Sequence, residues 1–171
     1  MTDFNKLKFY NPTCGNLNFN QVVREVFNYI SEQKELDYEI VVGCDSSSEK
    51  KPNFPVALVI LRKGFGGRFF LAKINYPESE KRFYTIRDRI LEEVYLSCEI
   101  ALLFKEALKQ RTEKKGELAN YQFEYIHADV GSSGKTKDMI KEVVGLIKSN
   151  GFSAKIKPES FAASIVADRF S

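Results

Sequence analysis

Val22, Val23, Val26, Phe27 and Ile30 recur at helical spacing, while Gln21, Arg24, Glu25 and Asn28 fill the opposite side. This predicts an amphipathic helix from about Asn20 to near Lys34. The segment ahead of it, Lys6 to Asn18, is punctuated by Pro12 and Gly15 and reads as an ordered arm over the core. After the helix the period changes. Tyr38-Glu39-Ile40-Val41-Val42-Gly43-Cys44 is β-branched and nearly continuous in apolar character, the pattern of a buried strand, and it stops on Asp45 and three hydroxyls, Ser46 to Ser48. Gly43 lets a neighbouring backbone or a ligand come close. A polar turn, Glu49 to Asn53, leads to the apolar run Pro55 to Arg62. Gly64-Phe65-Gly66-Gly67 then turns the chain, and Arg68 to Asn75 returns antiparallel, so three strands form a meander.

From Thr85 to Gln110 lies the longest helical pattern, with Ile86, Ile90, Ser97, Ile100 and Phe104 on one stripe and Val94, Ala101 and Leu108 beside it. A charged loop, Arg111 to Asn120, precedes a strand from Phe123 that ends on Asp129. Ser132 to Thr136 is expected to open a helix capped by Ser132 or Ser133, with Met139, Ile140, Val143, Val144 and Ile147 inward and Asn150-Gly151 as its stop. Phe152 to Lys157 is a short last strand, broken by Pro158, and Ser160 to Phe170 a small-residue helix. Phe69, Phe70, Phe83 and Tyr84 read as core rather than as stacking platforms.

At 171 residues, 43% hydrophobic and 29% charged, the chain has the size and composition of one soluble domain. The expected division is an arm and helix over residues 1–36 and a core over 37–171. No apolar run approaches the length of a membrane span, and the opening residues lack a charged-then-apolar signal pattern, so a cytoplasmic location without a membrane partner is expected. Cys14, Cys44 and Cys98 are odd in number and far apart, which points away from a disulfide framework or a zinc site; Cys44 and Cys98 are expected to be packed. A net charge of +3 excludes little and leaves room for local basic patches. The oligomeric state is not legible.

Chemistry enters with the acids. Asp45 and Asp129 each end a core strand, which suggests a shared metal or acid-base site, although Asp is also a common turn residue after a strand. Glu93 falls inside the apolar stripe of the long helix, seven residues from both Ile86 and Ile100, whereas Glu92 and Glu99 fall off it. A carboxylate aimed at a core needs a partner or a metal, because burying it bare costs several kcal/mol. Asp168, in the last helix, is the fourth candidate.

With acids in these four elements the chain resembles the ribonuclease H-like nuclease fold. The phrases Val42-Gly43-Cys44-Asp45-Ser46, His127-Ala128-Asp129-Val130-Gly131, Gly134-Lys135-Thr136 and Ile156 to Arg169 look like the bacterial YkuK-type branch, and the resemblance covers about residues 8 to 171. It implies an α/β domain with a mixed five-stranded sheet, three antiparallel strands followed by two parallel additions, flanked by helices and extended by an extra N-terminal helix. It also implies that Asp45, Glu93, Asp129 and Asp168 are catalytic and metal-ligating. Magnesium or manganese takes oxygen ligands and keeps waters, so converging carboxylates would hold two ions about 4 Å apart for phosphodiester hydrolysis in RNA, an RNA-DNA hybrid or DNA.

Ser46, His127, Lys135, Lys157 and Arg169 are candidate substrate contacts. His127 shares a strand face with Asp129 and would shuttle a proton or touch substrate, or serve structure alone. Lys155, Lys157 and Arg169 would meet a phosphodiester backbone or form a solvated rim. Two rival readings stand beside the nuclease: a catalytically weak nucleic-acid-binding or interaction module, and a nucleotide phosphotransferase using Gly134-Lys135-Thr136. Against the latter, a Walker-type loop needs glycine five residues before Gly134, where this chain has Asp129.

Overall fold

In chain order the computed structural model, which describes residues 2–77, 83–116 and 120–167, runs β1 (Phe9–Asn11), β2 (Gly15–Leu17), α1 (Phe19–Glu32), β3 (Tyr38–Cys44), β4 (Phe54–Arg62) and β5 (Gly67–Ile74). It continues through α2 (Ile86–Lys115), β6 (Tyr121–Ala128), α3 (Ile140–Ser149), β7 (Ser153–Lys155) and a terminal helix of wide π winding, Ala162–Ala167. All the strands join one mixed sheet of order β2-β1-β5-β4-β3-β6-β7. The meander pairs antiparallel, and β6 and then β7 add in parallel beside β3. No described helix is long and apolar enough to cross a membrane.

The sheet has seven strands, not five. The expected arm is a hairpin that pairs with β5 through Phe9↔Ala72 and Tyr10↔Leu71. Three-residue strands carry only one in-out-in alternation, too short for a period to stand out, and the second inward place is taken by a polar residue. That residue, Asn11, is 3% exposed and builds the turn: its Nδ2 donates to Phe69 O at 2.9 Å, and its Oδ1 accepts from the amides of Thr13 and Cys14.

Helix boundaries follow side-chain capping. Asn18 and Gln21 form a reciprocal capping box at α1, and Thr85 and Asp88 do the same at α2, satisfying amides that lack helical partners. The long helix runs five residues past its expected end at Gln110, through the first half of what reads as a charged loop; its last turn has no apolar residue to extend the stripe, so the periodicity does not show it. Residues 132–136 do not open a helix. They form turns, exposed up to Lys135, and Thr136 Oγ1 accepts from the Gly131 amide at 3.2 Å; a 3-10 turn, Lys137–Met139, then leads into α3 at Ile140, neither with a side-chain cap.

Helices α1, α2 and α3 cover one face of the sheet, where Ile30, Ile40, Leu58, Ile60, Leu96 and Ile100 are fully buried. Each contributes about 1.5–3 kcal/mol of hydrophobic stabilisation. Cys44 and Cys98 are buried there as free thiols, and Phe70 is core, but Tyr84 is 78% exposed and is not. On the other face Val41, Ala57, Val59 and Leu71 pack with Ala162 of the terminal helix. Among the described residues the two faces therefore have very different cover: three helices on one, and six residues of π helix on the other.

Candidate functional site

The parallel pairing of β3 with β6 ends at Cys44↔Ala128. Asp45 and Asp129 are the next residues on these adjacent strands, both half-buried, at the same end of the sheet. Strand alternation assigns them to the face of Gly43 and His127, the one the terminal helix covers.

Glu93 comes to this end from the opposite face. It is 6% exposed, and its Oε1 accepts from the Ser46 amide at 2.9 Å and from Ser46 Oγ at 2.6 Å. Burial pushes its carboxyl up to about 7; the bonds from Ser46 oppose the rise, and the charge of Asp129 adds to it. The helical phase thus selects the acid that reaches the end of β3. Glu92 is just as buried, at 6%, but turns to Tyr76, whose hydroxyl donates to its Oε1 at 2.6 Å. The apolar stripe alone missed this burial, because the segment after β5 folds Tyr76 over Glu92. Buried between these groups, the Cys44 thiol is held well above its ordinary value, by burial first and then by the charges of Glu93, Asp45 and Glu92.

Asp129 faces a cation. Lys157 Nζ is 3.1 Å from its Oδ1, the Lys157 amide donates to Val130 O at 2.9 Å, and the lysine stem lies over Gly131. Ser46 is buried against Glu93 rather than open to a substrate. Lys135 is exposed on its turn, two residues before the 3-10 turn Lys137–Met139 that leads into α3. Lys155 pairs with Glu39 at 3.4 Å and lies 4.2 Å above the Tyr125 ring, a structural engagement. Asp168 and Arg169 lie outside the described residues.

His127 is a correction to its reading as a substrate contact. It is 1% exposed, its Nδ1 accepts from the Ala162 amide at 3.1 Å, and the Phe161 ring stands edge-on at 4.6 Å between centroids. Burial, helped by the Lys155 charge, lowers its pKa to about 4, so the imidazole is neutral and carries its proton on Nε2. It docks the terminal helix. Beside it Gly43 allows the same contact: a Cβ there would stand 2.6 Å from Ala163 N and 2.9 Å from Ala162 C. The close approach expected at Gly43 is by a backbone.

The donor set is all oxygen, which fits a hard divalent cation better than zinc or copper. Among the described residues, no group of three or more His, Cys, Asp and Glu side chains is close enough to form a metal site.

A family model described as ribonuclease H-like matches residues 21–171. The chain is also 31% identical over 168 residues, 95% of either chain, to "Uncharacterized protein YkuK" of Bacillus subtilis (strain 168). No solved structure gives a significant match. With a family match from α1 to the C-terminus, a relative of equal length, and acids at the adjacent ends of β3 and β6, the chain belongs to the ribonuclease H-like family, in company with YkuK.

Proposed function

We propose that this protein is a divalent-metal-dependent nuclease that hydrolyses phosphodiester bonds in RNA, an RNA-DNA hybrid or DNA. The observation that carries the reading is the pair of carboxylates one residue beyond Cys44↔Ala128, on neighbouring parallel strands of a chain that matches a ribonuclease H-like family model. Asp45 and Asp129 would hold magnesium or manganese, with Glu93 and Asp168 completing a two-ion set. Bound ions supply Lewis acidity and an activated water to in-line displacement at phosphorus.

The remaining groups have stated tasks. Glu93 pins the backbone after Asp45 through both donors of Ser46, which fixes where the Asp45 carboxylate can point. Lys157 neutralises Asp129 and has the reach to move to a substrate phosphate when another cation takes its place. Gly43 and His127 seat the terminal helix that leads toward Asp168.

The test is cleavage of end-labelled RNA, hybrid and DNA strands in manganese, by the unmutated protein and by Asp45→Asn and Asp129→Asn. Each replacement is expected to cut the rate at least about a hundredfold with the circular dichroism spectrum unchanged, as removal of a charge-stabilising group in an active site does. If the unmutated protein cuts none of the three with any divalent metal, the nuclease reading is wrong and a nucleic-acid-binding module on the same fold takes its place.

A further inference from the structure

The N-terminal hairpin lengthens the sheet on the side away from β6, and the strand registers show what it adds. Cys44 pairs with Val56, Val56 with Ala72 and Ala72 with Phe9. One residue on, a single rung crosses Asp45 just after β3, Pro55 on β4, Lys73 on β5 and Lys8 just before β1; Pro55 and Lys73 are themselves a pair. Alternation assigns all four to the face shared by Val41, Ala57 and Leu71. At about 4.8 Å per strand, Lys73 stands about 10 Å and Lys8 about 15 Å from Asp45 along the rung. The adjacent rung carries Gly43, Ala57, Leu71, Tyr10 and Asn16 in register.

Only the hairpin end of these rungs opens into a groove, of about 620 Å³, whose wall includes Lys6, Lys8, Tyr10, Asn16, Leu71 and Lys73. Lys8 and Lys73 are exposed, and Tyr10 is 41% exposed. Lys6 is offset by Asp3, 3.2 Å away, so the unbalanced positive charge of the groove is that of Lys8 and Lys73. Exposed lysine and aromatic side chains alternating on one sheet face suit a flexible polyanion with flat bases. Lysines meet phosphates, and an aromatic ring one rung away stacks a base.

We propose that the groove at the hairpin end of this rung is a binding track for single-stranded nucleic acid. Pro55 is buried, so a strand with its reacting phosphate at Asp45 and Asp129 would enter the groove beyond it, lay its next phosphates on Lys73 and Lys8, and stack a base on Tyr10. This rests on reading the two acids as the cleavage site. It makes single strands, or single-stranded ends, the preferred substrate class, because one line of charges one strand wide does not match the two backbones of a duplex.

The experiment is fluorescence anisotropy of a labelled single strand of about 12 nucleotides, in EDTA so that nothing is cut, across a salt series. Lys8→Ala/Lys73→Ala is expected to weaken binding about tenfold at low salt and to lower the log-affinity against log-salt slope by about 1.4, two phosphate contacts at about 0.7 each. Tyr10→Ala should weaken binding without moving the slope, and Tyr10→Phe should restore it. Lys114→Ala/Lys148→Ala, which removes the same charge from exposed helix ends, should bind as the unmutated protein does. The track is overturned if the unmutated protein binds no single strand, if the Lys8/Lys73 pair and the control behave alike, or if a hybrid duplex binds more tightly and ignores the lysine pair. The two readings fail separately: track-dependent binding without cleavage in manganese removes only the nuclease, and cleavage indifferent to Lys8 and Lys73 removes only the track.

Discussion

His127 is the residue whose role the structure changes most, and its pH behaviour tests the new role. Its ordinary value is 6.5, and burial followed by the Lys155 charge brings it to about 4. A base whose folded value lies below its unfolded value stabilises the fold fully above the unfolded value, and loses that contribution as pH falls toward the folded one. The loss therefore falls between pH 6.5 and pH 4, and its size is about 3 kcal/mol. His127→Asn keeps an acceptor for the Ala162 amide and removes the titration. In thermal melts in EDTA, the unmutated protein is expected to lose stability over that window more steeply than the variant, the two curves lying parallel above pH 7. Equal acid limbs would show that protonation of His127 does not govern the docking of the terminal helix.

At the scale of elements, the terminal helix depends on a glycine. Gly43→Ala would set a Cβ 2.6 Å from Ala163 N and 2.9 Å from Ala162 C, both backbone atoms that can yield only if the helix moves. Forced overpacking of this kind costs about 2–4 kcal/mol. Gly131→Ala is the matched comparison, because its Cβ would meet only the Lys157 side chain, with the nearest approach 3.1 Å from Lys157 Cβ, a contact that a shift of a few tenths of an ångström relieves. Urea unfolding is expected to show a large loss for the first and less than about 1 kcal/mol for the second. A small loss for Gly43→Ala would mean that the terminal helix does not rest on β3.

The same two residues show what was legible beforehand. Long apolar periods gave away the core strands, the two large helices and the strand ends at Asp45 and Asp129, because each carries several repeats of one period. Glu93 was legible by phase, and Gly43 as a site of close approach. The role of His127 was not legible: alternation assigns a face but does not say what covers it, and the cover comes from Ala162, 35 residues away. The hairpin was hidden by strands of three residues, and with it the alignment of Lys8 and Lys73 with Asp45. That alignment exists only as a sum of three cross-strand registers. Ser132 to Thr136 misled for the opposite reason. Ser, Gly and Thr suit a helix cap and an exposed turn equally, and the bond from the Gly131 amide to Thr136 selects the turn.

At the scale of the whole molecule, one end of the sheet gathers several carboxylates. Asp45 and Asp129 end adjacent strands, and Glu93 is buried beside them with its carboxyl pushed up to about 7. Lys157 is the one cation paired with Asp129 among the described residues, and it reaches across from the loop after β7. Such an arrangement is less stable empty than filled, and a divalent cation that binds only the folded chain stabilises it by mass action. At a concentration about a hundred times its dissociation constant the gain is ~2.7 kcal/mol, or about 5–10 °C in melting temperature for a chain of this size. The unmutated protein is expected to melt higher in millimolar manganese than in EDTA by a shift of that order. Asp45→Asn is expected to lose the shift, because it removes one of the two carboxylates while keeping the shape and the hydrogen-bonding capacity of the strand end. Lys157→Ala separates ligation from simple charge: without the competing ammonium, manganese should bind Asp129 more readily and the shift should grow. If Asp45→Asn and the unmutated protein rise equally, the cation binds elsewhere on the surface and Asp45 is not its ligand.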